Sequence, residues 1–226
     1  MARPGYFVSI EGVDGAGKST QVAALAAAVQ ASGREICVAR PSDTVLGDLV
    51  RGFLLQHQTD TPVEPWSEAL LFIAQRAQLL RETILPALDR GALVLADRYV
   101  DSTLAYQGGG RGLDPELLRE LHRVVCHDIW PDMTILLDVP LDAASHRQRA
   151  QELPIDRFEQ APRPFHERVA QIFDELAKSE PERFIRVDAT RSAVELSREI
   201  SELVLSRASV QPQEAAPPAS TRVPVG

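Results

Sequence analysis

The sequence predicts an α/β fold in three layers, α/β/α, with a parallel five-stranded sheet between helices. Three observations predict it. Short apolar segments and longer amphipathic ones alternate along most of the 226 residues. The apolar segments, such as "ALVLA" and "MTILLDV", lack polar alternation, as strands covered on both faces do. The first of them, "YFVSI", leads directly into a glycine-rich turn and then a helix.

Strands are expected at 6–10, 35–39, 92–96, 132–138 and 183–187, each short, apolar and bounded by turn or cap residues. Helices are expected at 18–31, 45–56, 65–89, 115–126, 141–151, 162–178 and 192–206. "SGRE" ends the first helix through Gly33, and "DRGALVLADR" ends the third through Gly91. In that third helix Trp66, Leu70, Ile73, Ala77, Leu80 and Ile84 fall on one stripe and are the expected core face. From Ala208 the composition turns to "ASVQPQEAAPPASTRVPVG", with too few large apolar residues to bury a core. Residues 1–207 therefore read as one domain and 208–226 as a disordered tail.

A hydrophobic content of 44% with 25% charged residues describes a soluble globular chain. No apolar run approaches the roughly 18 residues that span a membrane. The first strand begins too early to leave room for a signal peptide. Cys37 and Cys126 are too few for a metal set or a disulfide framework, so the cytoplasm is the simplest location. A net charge of −8 argues against a nucleic-acid groove. It leaves room for small polyanions held by a few aimed cations.

"EGVDGAGKSTQ" is such a place. Gly12, Gly17, Lys18 and Ser19 satisfy G-x-x-x-x-G-K-[ST] between a strand and a helix start. Backbone N–H groups through Gly12, Val13, Asp14, Gly15, Ala16, Gly17, Lys18, Ser19 and Thr20 would face phosphate oxygens, Lys18 would bridge them, and the Ser19 hydroxyl would hold Mg²⁺. Of the 24 basic residues only Lys18 and Lys178 are lysines, so a compact ammonium here stands out. The competing reading is a glycine-rich turn with a solvated lysine. A P-loop NTPase type of fold says nucleoside triphosphate and no more. The N-K-x-D that specifies guanine is missing, and a motor or pump needs far more chain.

Four other stretches bear on the acceptor. Asp97, at the end of a buried strand, suits direct or water-mediated contact with Mg²⁺, and Arg98 beside it can clamp an anion; the alternative is a surface pair closing a strand. "QGGGRG" at 107–112 allows close backbone approach to a ligand, or is a flexible turn. Phe72 and Arg76, at i and i+4 and off the core stripe, can stack on a base and bond its edge. Otherwise they are a peripheral ring under an arginine stem. Arg147, Arg149 and Arg157 lie around a helix-to-loop break that can close over a triphosphate, or form a solvated charged face.

Together "EGVDGAGKSTQ", "LLFIAQRAQ", "DRYVDSTLAYQGGGRG" and "IDRFE" resemble the thymidylate kinase family, its bacterial branch above all, from about Tyr6 to Arg207. The resemblance implies Mg²⁺-dependent transfer of the ATP γ-phosphoryl group to dTMP, giving ADP and dTDP on the way to dTTP. It implies that Asp14 contacts the sugar 3′-hydroxyl, Phe72 stacks on thymine, and Arg76 bonds its carbonyl edge. Arg98 would clamp the dTMP phosphate, and Asp97 would sit by the metal. Thr103 and Gln107 would line the thymine pocket, and Tyr106 would crowd out a 2′-hydroxyl. A lid at about 146–158 and a homodimer are implied as well. The chain departs from the pattern in three places. Gly15 stands where some relatives carry an arginine, and Gln151 and Glu152 replace an expected Arg-Gly in the lid. "ARPSDT" at 39–44 replaces R-E-P-G-G-T, putting Arg40 where a Glu is expected and leaving Asp43 as the nearest acid.

Overall fold

The computed structural model describes residues 4–56, 62–150 and 156–210. Five strands, β1 (Tyr6–Glu11), β2 (Ile36–Ala39), β3 (Leu93–Asp97), β4 (Met133–Asp138) and β5 (Phe184–Asp188), form one parallel sheet in the order β2-β3-β1-β4-β5. Every residue of the central strand β1 is buried, and the register sets Ile10 against Asp97 and Glu11 against Leu136. The carboxyl ends of β1 and β3 are thus neighbours, where open parallel sheets carry their ligands.

The helices are α1 (Lys18–Ala31), α2 (Val45–Arg51), α3 (Pro65–Leu79), α4 (Leu85–Asp89), α5 (Val100–Thr103), α6 (Pro115–Val125), α7 (Leu141–Ala150), α8 (Arg163–Ser179) and α9 (Ala193–Val210). Wider π turns extend α2 through Gly52–Gln56 and join α3 to α4 through Leu80–Ile84. The second lies just before Pro86, which has no N–H to give to the preceding turn. Thr44, Glu64 and Asp114 cap α2, α3 and α6 with side-chain oxygens. No described helix is long and apolar enough to cross a membrane.

Each expected strand and helix is present within a few residues, and three readings need correction. The first three glycines of "QGGGRG" are helical: α5 continues as a π stretch, Leu104–Gly110, that is wholly buried. Their smallness serves α8, because a Cβ on Gly109 would come within 2.8 Å of the Arg168 carbonyl oxygen and 2.5 Å of Ile172 Cγ1. Arg168 donates to the Gly109 and Gly110 carbonyls at 3.0 and 2.8 Å, so the close approach is to a helix. Second, Leu70 is 50% exposed, whereas Glu68, Gln75 and Arg76 are buried. The covered face of α3 and its π extension keeps Ile73, Leu80 and Ile84 of the expected stripe, with Trp66 and Ala77 packed against the core, and widens toward Phe72 and Arg76. Third, α9 runs on to Val210, with Ala208 buried and its carbonyl bonded by Arg34 at 2.8 Å. The rest of the expected tail, 211–226, and lid residues 151–155 lie outside the described residues.

Candidate active site

A cleft of about 530 Å³ opens at the carboxyl ends of β1 and β3. Asp14, Gly15, Gly17, Lys18, Ser19 and Thr20 line it, as do Phe72, Arg76, Asp97, Arg98, Tyr106 and Gln107 from the acceptor motifs. No side chain caps the start of α1. Its first N–H groups and half-charge of helix dipole therefore face the cleft. Gly15, at φ +80°, lies against α7, and a Cβ there would overlap the Ala144 carbonyl. A longer side chain at this position is excluded by packing. Val13 and Ala16 point into the core.

Lys18 folds back over its own loop, donating to the carbonyls of Gly12 at 3.1 Å and Val13 at 2.7 Å. Burial foremost, then the Arg98 charge, lowers its pKa to about 8 against the pull of Asp14, Asp97 and Glu11. Arg98 occupies a left-handed turn, φ +70°, right after β3. Its guanidinium bonds the Gly12 carbonyl at 3.1 Å, the Ser102 hydroxyl at 3.0 Å and Asp14, and stacks 5.1 Å from the Tyr106 ring centre. Asp14 also accepts from the Tyr106 hydroxyl at 2.7 Å. Burial opposes the Asp14 charge, but Arg98, Lys18 and Tyr106 outweigh it and leave its pKa below the usual carboxylate value.

The other acceptor residues lie on α3, on α5 and on the π stretch that extends α5. Arg76 Nε and Nη1 bond the carbonyls of Tyr99 and Phe72 at 2.9 and 3.1 Å, leaving Nη2 as the donor group without a partner among the described residues. The Phe72 ring sits 5.8 Å from Phe158 and 5.7 Å from the Arg76 guanidinium. Gln107 reaches the cleft and bonds Glu68 at 2.9 Å. Thr103 is buried, outside the cleft wall, and its hydroxyl has no partner among the described residues. The Ser19 and Asp97 side chains line the cleft and make no hydrogen bond to the described residues.

The lid arginines are turned away from this cleft. Arg147 donates to the Ala189 carbonyl at 2.8 Å, Arg149 is exposed, and Arg157 pairs with Glu68. From the same segments Gln148, Asp156 and Glu159 line the wall instead. Asp43 does not line it either; its carboxylate accepts from the Arg40 backbone N–H at 2.7 Å and closes its own loop.

Two carboxylates escaped sequence reasoning. Glu11, wholly buried, accepts from Tyr99 N–H and from the Ser102 hydroxyl, each at 2.6 Å, and so holds both ends of the Arg98 turn. A charged residue closing a largely apolar strand was the signal for it. Glu68 lies one turn before Phe72, in the series 68, 72, 76 that lines a single helix face.

Comparison with known proteins shows the family. The family model described as thymidylate kinase matches residues 10–200. The chain is 49% identical to a thymidylate kinase of Thermomicrobium roseum, over 82% of this chain and 87% of that one. It is 48% identical to one from Deinococcus radiodurans, over 90% and 98%. A third relative, from Trichlorobacter lovleyi, is 40% identical over 90% and 99%. The residues matched by the family model span the P-loop, the Phe72–Arg76 helix and the Arg98 turn, and the chain belongs to the thymidylate kinase family.

Proposed function

We propose that the protein transfers the γ-phosphoryl group of ATP to the 5′-phosphate of dTMP, giving ADP and dTDP. The observation that carries this reading is the single cleft, which takes in both the uncapped start of α1 with Lys18 and the Phe72–Arg76 pair. The first suits a triphosphate. The second suits a flat base with carbonyl acceptors.

Phosphoryl transfer asks mainly for in-line positioning and charge stabilisation. Lys18 and the N–H groups of the loop would hold the β- and γ-phosphates, with Lys18 exchanging its two loop carbonyls for phosphate oxygens. Arg98 would turn from Asp14 to the acceptor phosphate, and Asp14, released, would take the sugar 3′-hydroxyl. Phe72 and Arg76 would hold the thymine ring, Tyr106 would crowd the 2′ position, and Gln107 with Thr103 would complete the pocket. Arg147 and Arg149, on either side of the cleft-lining Gln148 in sequence, would supply charge to the transferring group once α7 is drawn in. A Mg²⁺ ion suits the donors present: the Ser19 hydroxyl and Asp97 carboxylate make no hydrogen bond to the described residues, and no described cluster of three acidic, His or Cys groups forms an all-protein cage. Magnesium is commonly held by one or two such groups plus phosphates. Bound there, it would neutralise charge on the phosphate oxygens.

A homodimer and a cytoplasmic location complete the proposal. Val45, Leu49 and Phe53 along α2 and its extension, Leu70 on α3, and Leu117 and Val124 on α6 are exposed apolar groups on helices that pack side by side. Such a surface is more extensive than scattered single residues require. The activity is tested by ADP release against a panel of nucleoside monophosphates. Turnover with dTMP well above the others is expected, and Lys18→Ala should abolish it while leaving the circular-dichroism spectrum intact. Preference for another monophosphate, or near wild-type turnover in Lys18→Ala, contradicts the proposal.

A further inference from the structure

Glu68 is fully buried on α3, yet it is a carboxylate held by three donors. Its Oε1 accepts from Gln107 at 2.9 Å and Arg111 Nε at 3.0 Å; its Oε2 pairs with Arg111 at 3.0 Å and with Arg157. Among the described residues Glu68 is the only hydrogen-bond partner of Arg157, whose Nε is buried and unpaired. Arg157 belongs to a turn that is closed on itself. Asp156 accepts from the N–H groups of Phe158 and Glu159 at 2.8 and 3.0 Å, and Glu159 accepts from Gln148 at 2.9 Å. That turn contributes Asp156, Phe158 and Glu159 to the cleft wall. The Phe158 ring lies 5.8 Å from Phe72 and 6.1 Å from Tyr106, with the Arg111 and Arg157 guanidinium groups over it at 5.2 and 5.1 Å.

A buried ion set of this kind adds little net stability over apolar residues of similar volume. What it does supply is a fixed relation between α3 and the turn. We propose that Glu68 is a positioning residue for the acceptor: by holding Arg157 it docks the 156–161 turn against Phe72 and sets the gap a base must enter. The inference rests on the dTMP kinase reading and assigns Arg157 to this anchor, so that it acts through the wall rather than on the transferred group.

Two measurements on the full chain test it. Glu68→Gln and Arg157→Ala should each raise the KM for dTMP tenfold or more while the KM for ATP stays within twofold. The double variant should be no worse than the poorer single one, because both break one link. Arg157→Lys, which keeps a cation on the less buried partner, should fall between wild type and Arg157→Ala, and it serves if Glu68→Gln does not fold. In hydrogen exchange, the amides of 158–161 should open at least tenfold faster in these variants while those of α1 do not change. Additive effects, equal losses for ATP and dTMP, or unchanged exchange at 158–161 overturn the inference. A wild type that does not phosphorylate dTMP removes the kinase reading and this role with it, whereas intact dTMP kinetics in the variants removes the role alone.

Discussion

At position 11 a carboxylate closes a buried strand with no cation in direct contact. Burial first, and the nearby Asp101 second, push its pKa up from 4.5 to about 7, against the opposing effects of Arg98, Ser102 and Tyr99 N–H. Because the folded value lies above the unfolded one, the group's contribution is fully present below pH 4.5 and is lost as pH rises through about 7. The loss is at most about 3 kcal/mol by the usual conversion. Glutamine keeps an acceptor for Tyr99 N–H and cannot ionise. The stability of Glu11→Gln relative to wild type should therefore improve between pH 5 and pH 8 in paired urea titrations; a difference independent of pH would show that Glu11 does not titrate in this range. Under the proposed function Arg76 would carry the base choice. Its Nη2 can only donate, which suits a thymine carbonyl and opposes the cytosine amino group. A mismatch of that kind costs about 1–3 kcal/mol, or roughly 5- to 150-fold in kcat/KM. Arg76→Ala should thus harm dTMP far more than dCMP and leave the KM for ATP nearly unchanged; equal losses on both bases would mean that Arg76 does not read the edge.

Among the elements, strands and most helices were legible because each repeats one period for long enough to be counted. The stretch 100–110 was not. Three consecutive glycines have poor helix propensity, and only the packing of α8 against them, with Arg168 on their carbonyls, makes a helix of the segment. Local sequence carries no sign of that partner. The burial of α3 was misread for a related reason: its covered face includes Glu68, Gln75 and Arg76, and a count of apolar residues cannot see a face buried for its chemistry. The phosphate loop stood out by residue type and spacing, whereas the places of Phe72, Arg76 and Arg98 beside it in one cleft were expected from the family resemblance. The tethers Glu11 and Glu68 were not legible, since each works by contact with residues far along the chain. Gly109→Ala separates propensity from packing. Alanine gains up to about 1 kcal/mol of helix propensity, but its Cβ would sit 2.8 Å from the Arg168 backbone oxygen, which cannot swing away. Overpacking of this kind costs about 1–3 kcal/mol. A net loss of stability is expected on urea unfolding, and a gain would mean that α8 yields easily.

For the molecule as a whole, the apolar faces of α2, α3 and α6 and the cleft at the sheet's carboxyl edge are the two surfaces that the core does not explain. Light scattering on a sizing column should give twice the chain mass, and Leu49→Asp with Leu70→Asp should halve it; a wild-type monomer at micromolar concentration would contradict the dimer. The cleft carries the larger claim, that one site joins the ATP γ-phosphate to the phosphate of dTMP. Following the label from γ-labelled ATP tests it most directly, with Mg²⁺ present and dTMP either supplied or omitted. With dTMP the label should appear in dTDP in step with ADP formation, and without it release as inorganic phosphate should be slower by orders of magnitude. Label that passes mainly to water whether or not dTMP is present, or dTMP that is recovered unchanged while ATP is consumed, would contradict the account.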